Sequence, residues 1–249
     1  MNQRPKTEDQ EGIYIYCITD SSGPKEFKSV GIGGRSDRVY SLCYDGMSAV
    51  VSQSPKMRFQ ALRDNLMPHE LVVEEAMQEF TTLPVRFCTV AKTEEEVIEK
   101  GLKRFEATLK DMIKNMKGKV ELGLRVMWTD MKPIFAEIAE TPEIKRLKSS
   151  PQPNLMGIGR RVEELLKIKK EKEAEDLLGK FKKLAVDYKL NSTYGDPWLL
   201  NAAFLVEKEK EKDFDEIVNK THEQHKERIN LKYVGPLAPY NFANVELTF

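Results

Sequence analysis

Histidine, cysteine and tryptophan are scarce in this chain: three, three and two among 249 residues. The cysteines, Cys17, Cys43 and Cys88, are odd in number and widely spaced. That excludes a closed disulfide framework and any C-x-x-C zinc or redox motif, and leaves them as small core side chains in a reducing, cytoplasmic setting. An excess of either charge is also missing. Forty Lys and Arg balance forty Asp and Glu, so there is no basic surplus to meet nucleic-acid phosphates or an anionic bilayer. Long apolar runs are absent as well. Trp198–Val206 is nearly apolar, but Asn201 interrupts it, and a transmembrane helix needs ~20 apolar residues. The first residues carry no apolar core of a secretory signal, and residues 1–11 are expected to be an unstructured tail.

Catalytic patterns are equally thin. Gly31, Gly33 and Gly34 lack the Gly-Lys-Ser/Thr ending of a phosphate loop and open no helix, so they read as a turn. His222 and His225 stand three apart on a helical stretch, a spacing that can ligate metal. No third His and no Cys accompanies them in that half, so they read as a solvated or packed pair. His69-Glu70 at a helix start is read as capping and packing. Arg86 lies between Val85 and Phe87 in an apolar strand. It would be either an anion clamp or a buried guanidinium paired with a carboxylate. With no other site signal beside it, the buried pair is the expectation. No serine sits in a nucleophile elbow. No catalytic, cofactor or metal residue is therefore assigned. Zero net charge, which protects a protein poorly against association, suits one that binds other proteins.

The apolar pattern that is present predicts α+β architecture. Ile13–Ile18 is β-branched and aromatic, a strand. Val39–Tyr44 and Met47–Ser52 flank Asp45-Gly46, a dipeptide that tolerates the positive φ of a type I′ hairpin turn. Pro68 is expected to open a helix whose apolar stripe runs Val72, Val73, Ala76, Met77 and Phe80. Thr82–Phe87 follows as a short strand that Pro84 marks as an edge or a strand start. Thr93 and Glu96 form a capping box ahead of a helix laced with Glu96–Lys100, Glu99–Lys103 and Glu106–Lys110 pairs and ending near Gly118.

The second half reads as the strand Val120–Trp128, a short helix capped by Thr141 with Pro142 at its first position, and a long helix over 159–188. The strand Trp198–Val206, a helix around Phe214–Ile229 and the strand Leu231–Val234 complete it. The stretch Lys167–Asp176 is almost purely charged and is expected to be solvent-exposed helix. The expected organisation is two ferredoxin-like α/β sandwich domains, residues 12–118 and 119–249, with helices on one face of mainly antiparallel sheets.

Several ordered blocks resemble the gas vesicle protein F/L family. They are His69-Glu70, then Leu83-Pro84-Val85-Arg86-Phe87-Cys88-Thr89-Val90, and Gly118–Trp128 with Glu121 and Trp128. Gly159-Arg160 with Glu163 follows, then Asn201-Ala202-Ala203-Phe204-Leu205-Val206, and Gly235-Pro236-Leu237-Ala238-Pro239-Tyr240-Asn241-Phe242. Cys88 stands where the family usually has Gly, and Leu237-Ala238 where it more often has Trp-Pro. The resemblance implies a two-domain α+β accessory factor needed to form gas vesicles, without enzymatic activity or cofactor. It would contact the small shell protein, gas vesicle protein A, and other accessory proteins, and be located at the gas vesicle or in the cytoplasm. The motif residues would serve structure or partner binding. The edge-like strand at Pro84 and a lighter charge load make the N-terminal domain the one expected to bind the shell protein. The alternative from another class is a small-ligand-binding or enzymatic domain on a ferredoxin-like scaffold.

Overall fold

The computed structural model describes residues 10–243 and 245–249, so residues 1–9 of the expected tail lie outside the described residues. The chain forms two compact units: residues up to Glu121 together with Pro236–Phe249, and Leu122–Gly235. The expected division at 118 therefore misplaces the C-terminal segment, which belongs to the first unit. Chain order alone could not show that return.

In the first unit, β1 (Gly12–Thr19), β2 (Glu26–Val30), β3 (Arg38–Tyr44) and β4 (Met47–Ser54) are followed by α1 (Arg63–Glu79), β5 (Thr82–Pro84) and β6 (Val90–Ala91). After α2 (Glu94–Glu96) a π-helical stretch, Val97–Lys103, leads into α3 (Glu106–Met116). The sheet order is β2-β3-β4-β1-β5, with β6 also pairing β1. Every residue of β1 is buried, because both faces of the sheet are covered, against the expectation of helices on one face.

Alternation along β1 serves both faces, and a bulge shifts its phase part-way. Register with β4 slips between Ile15↔Val51 and Cys17↔Val50. Ile13 and Ile15 point into one core with Val97, Leu102 and Leu109, while Tyr14 and Tyr16 point into the other with Val72, Val73 and Ala76. Past the bulge the alternation shifts by one, so Cys17 joins the tyrosines and Ile18 the isoleucines.

The local signals in this unit largely act as their chemistry dictates. Asp45 and Gly46 take positive φ at the hairpin. Thr93 Oγ1 accepts from Glu96 N–H at 3.1 Å, and Glu96 returns to Lys92 N–H at 2.7 Å. All three Glu–Lys pairs form, at 2.5, 3.0 and 2.8 Å. The helix expected to start at Pro68 begins at Arg63 and holds the proline inside. β2, which the pattern did not indicate, is an edge strand whose Lys28 and Ser29 N–H groups both donate to the Glu75 carboxylate at 2.8 Å.

The second unit runs β7 (Lys119–Trp128), α4 (Met131–Ala139), α5 (Pro142–Lys148), α6 (Leu155–Phe181), β8 (Asp187–Leu190), β9 (Trp198–Glu207), α7 (Glu211–His225) and β10 (Ile229–Leu237). Its sheet order is β10-β7-β9-β8, the split βαβ arrangement of ferredoxin-like folds. Phe181 of α6, Phe204 of β9 and Phe214 of α7 meet with ring centroids 5.3–6.0 Å apart. The long helix ends at Phe181, short of the expected 188. Tyr188, which continues the helical spacing, lies instead in β8, where it pairs with Phe204 of β9. At α5, Thr141 does not cap as expected: its hydroxyl donates back to the Ile138 carbonyl at 2.7 Å. No helix among the described residues is long and apolar enough to cross a membrane.

Candidate partner-binding site

The motif residues of the first unit gather around the middle of β1. Burying Tyr14 and Tyr16 side by side requires partners for two hydroxyls. Cys88 N–H donates to Tyr14 Oη at 3.0 Å, which leaves the Tyr14 proton for His69 Nδ1 at 3.1 Å. Ile32 N–H donates to Tyr16 Oη at 2.8 Å, and Tyr16 and Ser52 share a 2.8 Å hydroxyl contact. Phe87 stands edge-on to both Tyr14 and His69. His69 is 3% exposed, and burial pulls its pKa down from 6.5 to about 4. It is a neutral hydrogen-bond acceptor that pins α1 to the sheet, with Leu83 and Pro84 buried in the adjoining strand.

Cys88 adopts φ +67°. Only glycine takes this left-handed conformation without strain, which gives a physical reason for the glycine usual in the family's motif. The departure is partly offset: Cys88 Sγ accepts the Phe59 N–H at 3.1 Å.

The closing motif returns to the same unit. Glu121 is 2% exposed, and its carboxylate accepts Asn241 N–H at 2.7 Å and Asn241 Nδ2 at 2.6 Å. Pro239 is buried and Tyr240 is 42% exposed. Val245 then bridges Val85 in parallel.

Arg86 overturns its expectation. It is exposed, and no carboxylate pairs with its side chain among the described residues. The strand and its bridge end at Val85, and the chain beyond carries Arg86 to the surface. Only its backbone is engaged: its carbonyl accepts Thr89 Oγ1 at 2.7 Å.

In the second unit, Trp128 is buried and its indole N–H donates to Glu173 Oε2 at 2.8 Å. Arg228 grips that carboxylate at 2.7 and 3.2 Å and Glu137 at 2.6 and 3.0 Å, and Lys169 bridges to Glu137 at 2.6 Å. These cations hold the Glu137 pKa down at about 2. The charged stretch of α6 is thus exposed on its outer side, while Lys169 and Glu173 on its inner side are half-buried. Sequence reasoning assigned Arg228 no role, since an isolated Arg after a helix carries no pattern.

Ala203 and Val206 are core residues of β9, and Asn201 Nδ2 donates to the Ser192 carbonyl at 3.1 Å. Arg160 and Glu163 are exposed on α6, and Gly235 and Pro236 are exposed near the end of β10. A cleft of about 440 Å³ is lined by Glu173, Asp176, Leu177, Lys180, His225, Arg228 and Ile229. Its Arg228 and Glu173 are already committed to each other, and His225 Nε2 faces Lys180 Nζ at 3.4 Å. His222 is exposed, and no group of three metal-ligating side chains occurs among the described residues.

The motif residues therefore define an α+β protein in which the buried polar groups are spent on joining helices and chain ends to the sheets. The chain belongs to the family described as gas vesicle synthesis protein GvpL/GvpF, which it matches over residues 12–244. It is 28% identical over 242 residues to gas vesicle protein F of Nostoc sp. strain PCC 7120, covering 94% of this chain and 98% of the relative. Among solved structures it superposes on gas vesicle protein GvpF from Anabaena sp. PCC7120 with a TM-score of 0.82 at 28% identity, covering 95% and 98% of the two chains. It also superposes on GvpF from Microcystis aeruginosa with a TM-score of 0.78 at 27% identity, covering 94% and 99%. Membership places the protein in gas vesicle assembly.

Proposed function

We propose that this protein assists gas vesicle formation by binding the small hydrophobic shell protein, gas vesicle protein A, without turnover or cofactor, chiefly through its first unit. It would act in the cytoplasm or at the growing vesicle, and other accessory proteins would contact it too. The observation that carries this reading is the family match over nearly the whole chain. Physical chemistry supports it. A subunit that lines a gas space must present a large apolar face, and such a face aggregates unless it is covered before assembly.

Strand addition is the less suitable route at this sheet. Glu75 occupies the outward N–H groups of β2, and Val245 lies against Val85 just beyond β5. The test is co-purification of the shell protein with the intact chain, followed by binding at low and high salt. Apolar binding should survive high salt, because screening weakens only the charged contacts. No binding by the intact chain at either salt would leave an indirect role in assembly. Separate halves cut at residue 118 are unsuitable, because the cut strips Ala243, Val245 and Leu247 from the first unit's core.

A further inference from the structure

We infer that the outward face of α1 is the docking surface, and that it takes a segment of the partner carrying apolar side chains flanked by Lys or Arg. This rests on the shell-binding reading and adds where and by what chemistry contact is made.

The inner face of α1 is fixed: His69, Val72, Val73 and Ala76 are buried against the sheet. Helical spacing then turns Met67, Glu70, Leu71 and Glu74 outward together, at i, i+3, i+4 and i+7. Met67 and Leu71 are 43% and 51% exposed, large apolar side chains on a helix that has ample polar residues elsewhere. The carboxylates of α1 divide into two sets. Glu75 accepts the β2 backbone N–H groups and Glu79 pairs with Lys25 at 2.5 Å. Glu70 and Glu74 are exposed and have no ion-pair or hydrogen-bond partner among the described residues.

The face thus offers two apolar side chains and two unpaired carboxylates. A purely apolar partner would have to desolvate both carboxylates without compensation, and an anionic bilayer would be repelled by them. A segment with Lys or Arg beside its apolar residues satisfies both halves of the face. The rigid tie of His69 to Tyr14 keeps the face preorganised.

The experiment uses the full chain with solubilised shell protein as the probe. The double variants Glu70→Lys/Glu74→Lys and Met67→Ser/Leu71→Ser are compared with the unaltered protein for affinity and thermal midpoint. Each double variant should bind at least ~10-fold more weakly with a midpoint close to that of the parent, because these side chains lie at the surface of α1. If the unaltered chain does not bind, the shell-binding reading fails and this inference falls with it. If the unaltered chain binds and both variants bind as well, the surface is overturned while the shell-binding reading stands. Weakening by the serine pair alone would overturn the basic character assigned to the partner.

Discussion

Glu121 and Asn241, 120 positions apart, are joined by two hydrogen bonds of 2.6 and 2.7 Å, one to the side chain and one to the main chain of Asn241. This pair anchors the returning C-terminal segment, whose Ala243, Val245 and Leu247 complete the core on one face of the first sheet. Glu121→Ala leaves the Asn241 N–H without its acceptor and should cost about 2–4 kcal/mol. Denaturant unfolding measures the loss, and limited proteolysis should show the segment after Gly235 cut faster. Unchanged stability would show that the apolar contacts alone hold it.

His69 should make stability depend on pH. Its folded pKa, about 4, lies below the ordinary 6.5, so the unfolded chain binds a proton that the folded chain refuses. Stability is therefore full above pH ~6.5, falls as pH drops towards ~4, and takes no further loss from this group below that. The fall is on the order of 3 kcal/mol, from 1.36 kcal/mol for each pH unit between the two values. In His69→Gln, unfolding midpoints between pH 7 and 4 should follow a visibly shallower slope. An equal slope in both proteins would remove His69 as the cause.

Cys88 offers a test of backbone strain. Cys88→Gly relieves φ +67° and loses the thiol acceptor for Phe59 N–H, whereas Cys88→Ala loses the acceptor and keeps the strain. Glycine should therefore be more stable than alanine at this position by about 1 kcal/mol. The reverse order, read from thermal midpoints, would contradict the conformational argument.

Arg228→Ala removes the shared cation from Glu137 and Glu173 and should destabilise the protein by about 2 kcal/mol at neutral pH. That figure is set below the cost of breaking a fully buried pair because these side chains remain partly solvated. Glu137 has its pKa lowered from 4.5 to about 2 by Arg228 first and Lys169 second. Its contribution is present above pH ~4.5 and disappears as pH falls towards ~2. The gap between parent and variant should narrow over that window, and a gap independent of pH would place the effect in packing instead.

The elements legible in the sequence were those specified by neighbours along the chain. The Asp45-Gly46 hairpin, the Thr93–Glu96 cap and its ion pairs, and the alternation of Val120–Trp128 are local chemistry, and local chemistry survives folding. The motif blocks were equally legible, and they identified the family. Tertiary structure decided the rest. Cover on both faces of the sheet put β1 between two cores, pairing with β9 turned a helical-looking Tyr188 into a strand residue, and the strand's end carried Arg86 out to solvent. The Glu121–Asn241 bonds and the Arg228 cluster join residues too distant in sequence for any periodicity to link them. Local propensity fixes which residues share a face, but only packing decides what that face meets.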